Sequence, residues 1–275
     1  MKKAALLLLL FFFSNALFAA MHEDVEIVVI ICSYNNEQYV EENLKSLFCQ
    51  DYPKWQMIYI NDASTDKTGN EVERLVYTHN MKKRSVIVHN KERRGAMANL
   101  YHAIHALSPK KLVVQLDGDD LLKDKKVLSH IAKVFRNKKI WLSYGNYEST
   151  PKNAPGWYND SCHAFPEEVI RNGSFRSYKW VAYPLRCFYA KLFQNIKEED
   201  LKYKGQFFSV VSDTGMMHPM LEMARSGHIH FEKKVLYIYR VNTGINDFFV
   251  RRPLMDEVSS YIKSRPAYPA LTELF

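Results

Sequence analysis

Leu112-Val113-Val114-Gln115-Leu116-Asp117-Gly118-Asp119-Asp120 is the stretch on which the fold turns. Its first five residues form a short apolar run of the kind that makes a buried strand. Three carboxylates then arrive within four positions. Unpaired buried charges are costly, so such a cluster calls for a metal ion or a basic partner. Hard oxygen ligands at a strand end suit Mg²⁺ or Mn²⁺, and Mg²⁺ is commonly held by one or two carboxylates plus substrate phosphates. An isolated D-x-D is more often a turn of solvated acids. The surrounding sequence favours the ligand reading here.

On both sides of this stretch, strand and helix patterns alternate. Glu26 to Ile31 is β-branched and apolar after its first residue, as in a strand buried on both faces. Asn36 to Phe48 has apolar residues at helical spacing, and Pro53 stops that helix before a second strand, Gln56 to Ile60. Thr65 to His79 reads as a helix, Val86 to Val88 as a strand and Gly95 to Leu107 as a helix. Beyond the acids, Lys125 to Phe135 is helical and Ile140 to Tyr144 a strand. Repeated βα units predict an α/β fold, a mostly parallel sheet with helices on both faces and ligands beyond the strands' carboxyl ends. Ser33-Tyr34-Asn35, Asn61-Asp62 and Asp117 to Asp120 each follow a predicted strand. Three loops are therefore expected to converge on one rim.

After Tyr144 the pattern loosens. Glu148 to Tyr183 suggests loops; Lys191 to Lys197 and His218 to Arg225 look helical, and Val235 to Tyr239 is a short strand. The expected organisation is a leader over residues 1–20, a first half over 21–145, a second half of the same domain over 146–247, and an unassigned tail over 248–275.

A chain of 275 residues with 47% hydrophobic and 25% charged residues has an ordinary globular composition. The formal charge is +8, six of it remaining without Lys2 and Lys3, which favours anionic ligands or anionic membrane surfaces. No nucleic-acid-binding module accompanies that charge, so a nucleic-acid partner is not expected. Cys32, Cys49, Cys162 and Cys187 form no C-x-x-C pair, which argues against zinc, and Cys32 and Cys49 read as packed free thiols. Lys2-Lys3, the run Ala4 to Phe13 and the small residues ending at Ala20 follow the order of a signal peptide. An uncleaved anchor, with membrane association through it, and a start at Met21 remain open beside that reading, so the compartment is undecided between secretory or membrane-associated and cytoplasmic. Asn159-Asp160-Ser161 and Asn172-Gly173-Ser174 fit the N-glycosylation pattern.

With Val28 to Asn35, Ser46 to Pro53, Ile60 to Asp66 and Leu116 to Asp120 in this order, the chain resembles family 2 glycosyltransferases of the GT-A fold. The resemblance is firm over residues 25–145 and looser over 183–247. It implies an inverting, hexosyltransferase-type enzyme that moves a sugar from a nucleotide-diphosphate donor, UDP-sugar favoured, to an acceptor hydroxyl. The acceptor would sit on a glycan, glycoconjugate or protein, with Mn²⁺ or Mg²⁺ assisting. Ser33, Tyr34, Asn35, Asp62, Asp117 and Asp119 would line the donor site, Tyr34 stacking on the base and Asp62 accepting its N–H. Asp119 and Asp120 would hold the metal, which neutralises the departing diphosphate. Arg94 is expected at phosphate, which suits a guanidinium.

Inversion needs one general base. By resemblance this is Asp213 in Ser212-Asp213-Thr214-Gly215, although Ser212 stands where the family often has Glu; Glu222 is the fallback. Tyr237-Ile238-Tyr239-Arg240 matches a late family element, but Val241-Asn242 follow where a His is frequent, leaving His228 and His230 as substitutes. Trp157, Tyr158, Trp180 and Tyr183 would either stack on sugar rings or pack beneath loops. A catalytically inactive sugar- or metal-binding domain is the alternative from another class. A nucleotidyltransferase is disfavoured, because Ser33-Tyr34-Asn35-Asn36 has no glycine to cradle a triphosphate.

Overall fold

The computed structural model describes residues 24–151, 162–241 and 251–275. Trp157, Tyr158, the Asn159 sequon, Asn242 and the leader lie outside the described residues. The chain runs β1 (Ile27–Ser33), α1 (Val40–Phe48), β2 (Trp55–Asn61), α2 (Thr68–Thr78), β3 (Ser85–His89), α3 (Ala96–His105) and β4 (Leu112–Asp117). The two-residue β5 (Leu121–Leu122), α4 (Val127–Phe135) and β6 (Leu142–Thr150) follow. Then come α5 (Glu167–Asn172), β7 (Arg186–Tyr189), α6 (Ala190–Gln194), the small strands β8 (Lys202–Tyr203) and β9 (Gln206–Phe207), α7 (Ser212–Ala224), β10 (Ile229–Arg240) and α8 (Arg252–Ser264).

Eight strands form one sheet in the order β3-β2-β1-β4-β7-β6-β10-β5. β1, β2, β3 and β4 are mutually parallel, as the alternation predicts. β1 lies in the middle of this half, with Ile27 to Ile31 each at most 2% exposed. That burial on both faces explains its unbroken apolar run. Ser33 pairs with Asn61, and Cys32 with Asp117, so the three strands end level on one rim. Helices α1 to α3 cover the sheet through apolar stripes such as Val40, Leu44 and Leu47.

The second half departs from the expectations in three places. β7, inside the stretch where the sequence pattern loosens, is a four-residue strand inserted antiparallel between β4 and β6. Its Arg186 pairs with Gln115, two residues before Asp117. The tail from Arg251 is not irregular: α8 opens with Pro253 in its first turn and buries Val258 and Ile262, one turn apart, against the domain. α7 starts earlier than His218 and carries Pro219 inside it. A Cβ at Gly215, one turn before Pro219, would sit 2.5 Å from the Phe208 ring, so glycine is required there. Among the described residues all four cysteines are free, and Cys49 is exposed rather than packed. No described helix is long and apolar enough to cross a membrane.

Candidate active site

The first two loops of the rim are stitched to each other. Asn35 is in the left-handed region, φ 53°, where asparagine is better tolerated than most residues. From there its Oδ1 accepts the Thr65 amide at 2.9 Å, while its own amide donates to Ser64 Oγ at 3.0 Å. The Asp62 amide donates to the Ser33 carbonyl at 2.9 Å. Ser33 Oγ accepts from the Asn36 side chain at 3.0 Å. Asn35, expected at the donor, is thus engaged as a loop bridge, and Ser33 lies under the acidic turn. A Cβ on Gly118 would come within 2.7 Å of Ser33 Oγ, so glycine is required for that close approach.

Asp62 is buried at the end of β2. Its Oδ1 accepts from the Asn90 side chain at 2.7 Å and the Arg94 amide at 2.9 Å, and its Oδ2 from the Gly95 amide at 2.8 Å. Burial works to raise its pKa, but hydrogen bonds from the Arg94 amide, Asn99, Asn90 and the Gly95 amide outweigh it and hold the group below its ordinary value. Asp62 fastens the loop before α3, and that loop places Arg93, not Arg94, at the expected base platform. The Arg93 guanidinium lies 3.9 Å from the Tyr34 ring centre, a cation–π stack. Arg94 is exposed.

The acidic turn is gripped from two sides. Asn43 of α1 donates its side-chain amide to the Asp117 and Asp120 carbonyls at 2.9 and 2.7 Å. From β10, the Tyr237 hydroxyl donates to Asp120 Oδ2 at 2.8 Å and the Arg240 amide to Asp120 Oδ1 at 2.6 Å. Arg240 Nε also donates to the Asp119 carbonyl at 2.9 Å. Each oxygen of Asp120 is thus engaged in tethering β10, and Asp119 stands half-buried beside it. Burial, then Asp119 and Asp117, push the Asp120 pKa well above its ordinary value. Burial also raises Asp117, opposed by the Arg186 guanidinium.

Arg186 carries the link to the second half. It is buried, its Nε donates to the Ala182 carbonyl at 3.0 Å, and its Nη2 pairs with Asp213 Oδ2 at 2.9 Å. Asp213 sits in the first turn of α7 and, with Arg186, acts electrostatically on Asp117. The expected base is therefore next to the acidic strand end. No local pattern marks Arg186 as the partner of Asp213, 27 residues away.

The remaining candidates lie elsewhere. Glu222 is fully buried in a bidentate pair with Arg176, at 2.5 and 2.9 Å, and also accepts the Tyr268 amide at 2.9 Å. It is a structural anchor, not a base. His228 stacks on Trp141 at 3.5 Å and His230 reaches Glu232 at 3.4 Å, both at the start of β10 and roughly 30 Å from its rim end. Trp180 packs edge-on against buried His218 at 5.4 Å, and Tyr183 against Tyr147 at 5.5 Å.

A divalent cation fits this turn only as a shared guest. Among the described residues no three His, Cys, Asp or Glu side chains are placed to hold a metal by themselves. Yet Asn36 Oδ1, Asn43 Oδ1 and Gln115 Oε1, around the same turn, are buried acceptors without a donor. Surplus acceptors beside carboxylates suit a hydrated cation that completes its shell with phosphate oxygens.

The rim of the parallel half-sheet is thus closed by an acidic turn and a helix-borne carboxylate. Residues 28–208 match the model of glycosyl transferase family 2, and the chain belongs to that family. It is 33% identical over 121 residues to an uncharacterized glycosyltransferase of Haemophilus influenzae, covering 44% of this chain and 36% of that one. It is 27% identical over 132 residues to the Escherichia coli UDP-Glc:alpha-D-GlcNAc-diphosphoundecaprenol beta-1,3-glucosyltransferase WfgD, covering 48% and 49%. The chain thus spans between a third and a half of the length of these relatives. The fold matches Staphylococcus aureus TarS 1-349 in complex with UDP-GlcNAc, with a TM-score of 0.60 and 18% identity over 80% of this chain and 60% of that one. It equally matches the mannosyltransferase PcManGT of Pyrobaculum calidifontis in complex with GDP-Man and Mn²⁺, TM-score 0.60 and 21% identity over 90% and 67%.

Proposed function

We propose that this glycosyltransferase transfers a sugar, with inversion, from a nucleotide-diphosphate donor to an acceptor hydroxyl on a glycan or glycoconjugate. The observation that carries the reading is the Arg186 bridge, which sets Asp213 of α7 beside the acidic end of β4. UDP-sugar is the favoured donor: WfgD is named for UDP-Glc, and TarS is seen with UDP-GlcNAc.

Asp62 holds the Arg93 loop and shares its carboxylate with a base N–H. The base enters against Tyr34, where Arg93 either lifts away or closes over it. Asp119, with Asp117 behind it, faces the diphosphate; Mn²⁺ or Mg²⁺ bound there would neutralise the charge that builds on the leaving group. Asp213 takes the proton of the acceptor hydroxyl as that oxygen attacks C1 from the face opposite the diphosphate. Arg186 holds Asp213 in place for that step.

The test is turnover of a panel of UDP- and GDP-sugars with and without Mn²⁺, for the natural chain and Asp119→Ala. The variant should lose metal-dependent turnover and metal-dependent UDP affinity together. Strong Mn²⁺-dependent UDP binding by Asp119→Ala would overturn the assignment. A second reading, a non-catalytic nucleotide-sugar binder, is favoured by the ion pair that already occupies Asp213. It predicts nucleotide affinity with no turnover of any donor.

A further inference from the structure

Residues 82–94 carry six Lys or Arg against the single acid Glu92, and a larger surplus lies on one flank. Residues 123–139 hold seven Lys or Arg against the single acid Asp124, and residues 232–234 add Lys233 and Lys234 against Glu232. These two segments carry a surplus of seven; the chain beyond Lys2 and Lys3 has a surplus of six, so everything else after Lys3 sums to minus one. The fold joins the segments into one face: His130 of α4 bonds Glu232 of β10 at 2.7 Å, and the Lys123 amide donates to the Leu236 carbonyl at 3.0 Å. Lys123 pairs with Glu148. Lys125, Lys126, Lys133, Arg136, Lys138, Lys139, Lys233 and Lys234 are all exposed.

We propose that this flank is a docking surface for an anionic lipid bilayer. The cations extend along α4 and past its end, roughly 20 Å by the rise of a helix, instead of converging on one cavity. Such a spread matches a surface of many charges better than a single phosphate. Nucleic acid is the weaker fit, because bases are held by exposed aromatic faces and the aromatics under this flank, Phe135 and Trp141, are buried at 0% and 5% exposure. The attachment is mainly electrostatic and reversible, and salt weakens it. Lys125 comes five residues after Asp120 in sequence, so a docked bilayer lies beside the acidic turn. The inference rests on charge and placement alone and does not depend on the proposed transfer reaction.

Co-sedimentation of the full chain with phosphatidylcholine vesicles, with and without phosphatidylglycerol, tests it. Binding to the anionic vesicles should exceed binding to neutral ones by at least about tenfold and fall as salt is raised. The combined variant Lys126→Glu, Lys133→Glu, Arg136→Glu, Lys233→Glu should lose about a hundredfold or more while keeping its UDP affinity. The milder pair Lys133→Gln and Arg136→Gln should lose about tenfold, which covers the case where the fourfold reversal fails to fold. No binding, equal binding to neutral vesicles, binding that survives both variants, or tighter binding to an RNA homopolymer at the same ionic strength would each overturn the proposal.

Discussion

The two sides of the rim are built by different means. On the β1, β2 and β4 side, polar residues stand directly on strand ends that finish level, because Cys32 faces Asp117 and Ser33 faces Asn61 in register. On the β7, α7 and β10 side, the groups arrive by long reach. Tyr237 and Arg240 meet Asp120 across 117 and 120 residues, and Arg186 meets Asp213 across 27. The first side gathers acids; the second brings the donors and the cation that make the gathering tolerable. An acidic site of this kind is thus stable only as a joint product of both halves.

The sharpest break of that comparison is chemical. Asp213→Asn should cut sugar transfer by about 10²–10⁴-fold, the usual worth of a general base, while calorimetry shows UDP affinity unchanged. A parallel loss of affinity would mean that the far side grips the donor instead. Next comes a change that should touch stability alone. Glu222→Ala leaves Arg176 buried without its partner, at a cost of about 3–5 kcal/mol, and should lower the melting temperature by roughly 10 °C. Transfer per folded molecule should be preserved, since Glu222 stands away from the rim.

Smaller still, Tyr237→Phe removes the hydroxyl that donates to Asp120 and accepts the Asp117 amide, leaving two buried groups short of a partner. About 1–3 kcal/mol of stability should go, measured by denaturant midpoint, with a weaker Mn²⁺ response if β10 holds the turn in shape. The least effect concerns acid sensitivity. The folded pKa of Asp62 lies below its unfolded value, so its stabilisation is fully present above roughly pH 4 and fades as pH falls through the lower folded value. The stability gap between the natural chain and Asp62→Asn should therefore close on acidification below about pH 4. A gap that widens there would reverse the sign assigned to Asp62.

The sequence was most readable where local pattern and burial agree. The β1 run, the Pro53 break and the strand carrying Asp117 are each set by residues within a few positions, and their structural counterparts differ only at the ends. The second half was harder for a physical reason. β7 is four residues long and owes its place to neighbours on both edges, not to its own alternation. α8 hides its apolar stripe among charges, and α7 contains a proline that pattern reading places at a helix start. Within the site, residue type gave Asp119 and Asp120 the same prospects. Only the tertiary bonds from Tyr237 and Arg240 mark Asp120 as the tether of β10. Arg94 is the residue the sequence singled out, and the Asp62 bonds to the loop backbone set its neighbour Arg93 over Tyr34.

Because β10 fastens Asp120, the two halves of this domain cannot be inherited or expressed apart. A fragment ending near residue 145 would keep every recognisable motif of the first half, yet lose both protons that satisfy its most deeply placed carboxylate. Its acidic corner would either take up a proton or spring outward, and in neither form would the remaining motifs describe a working enzyme.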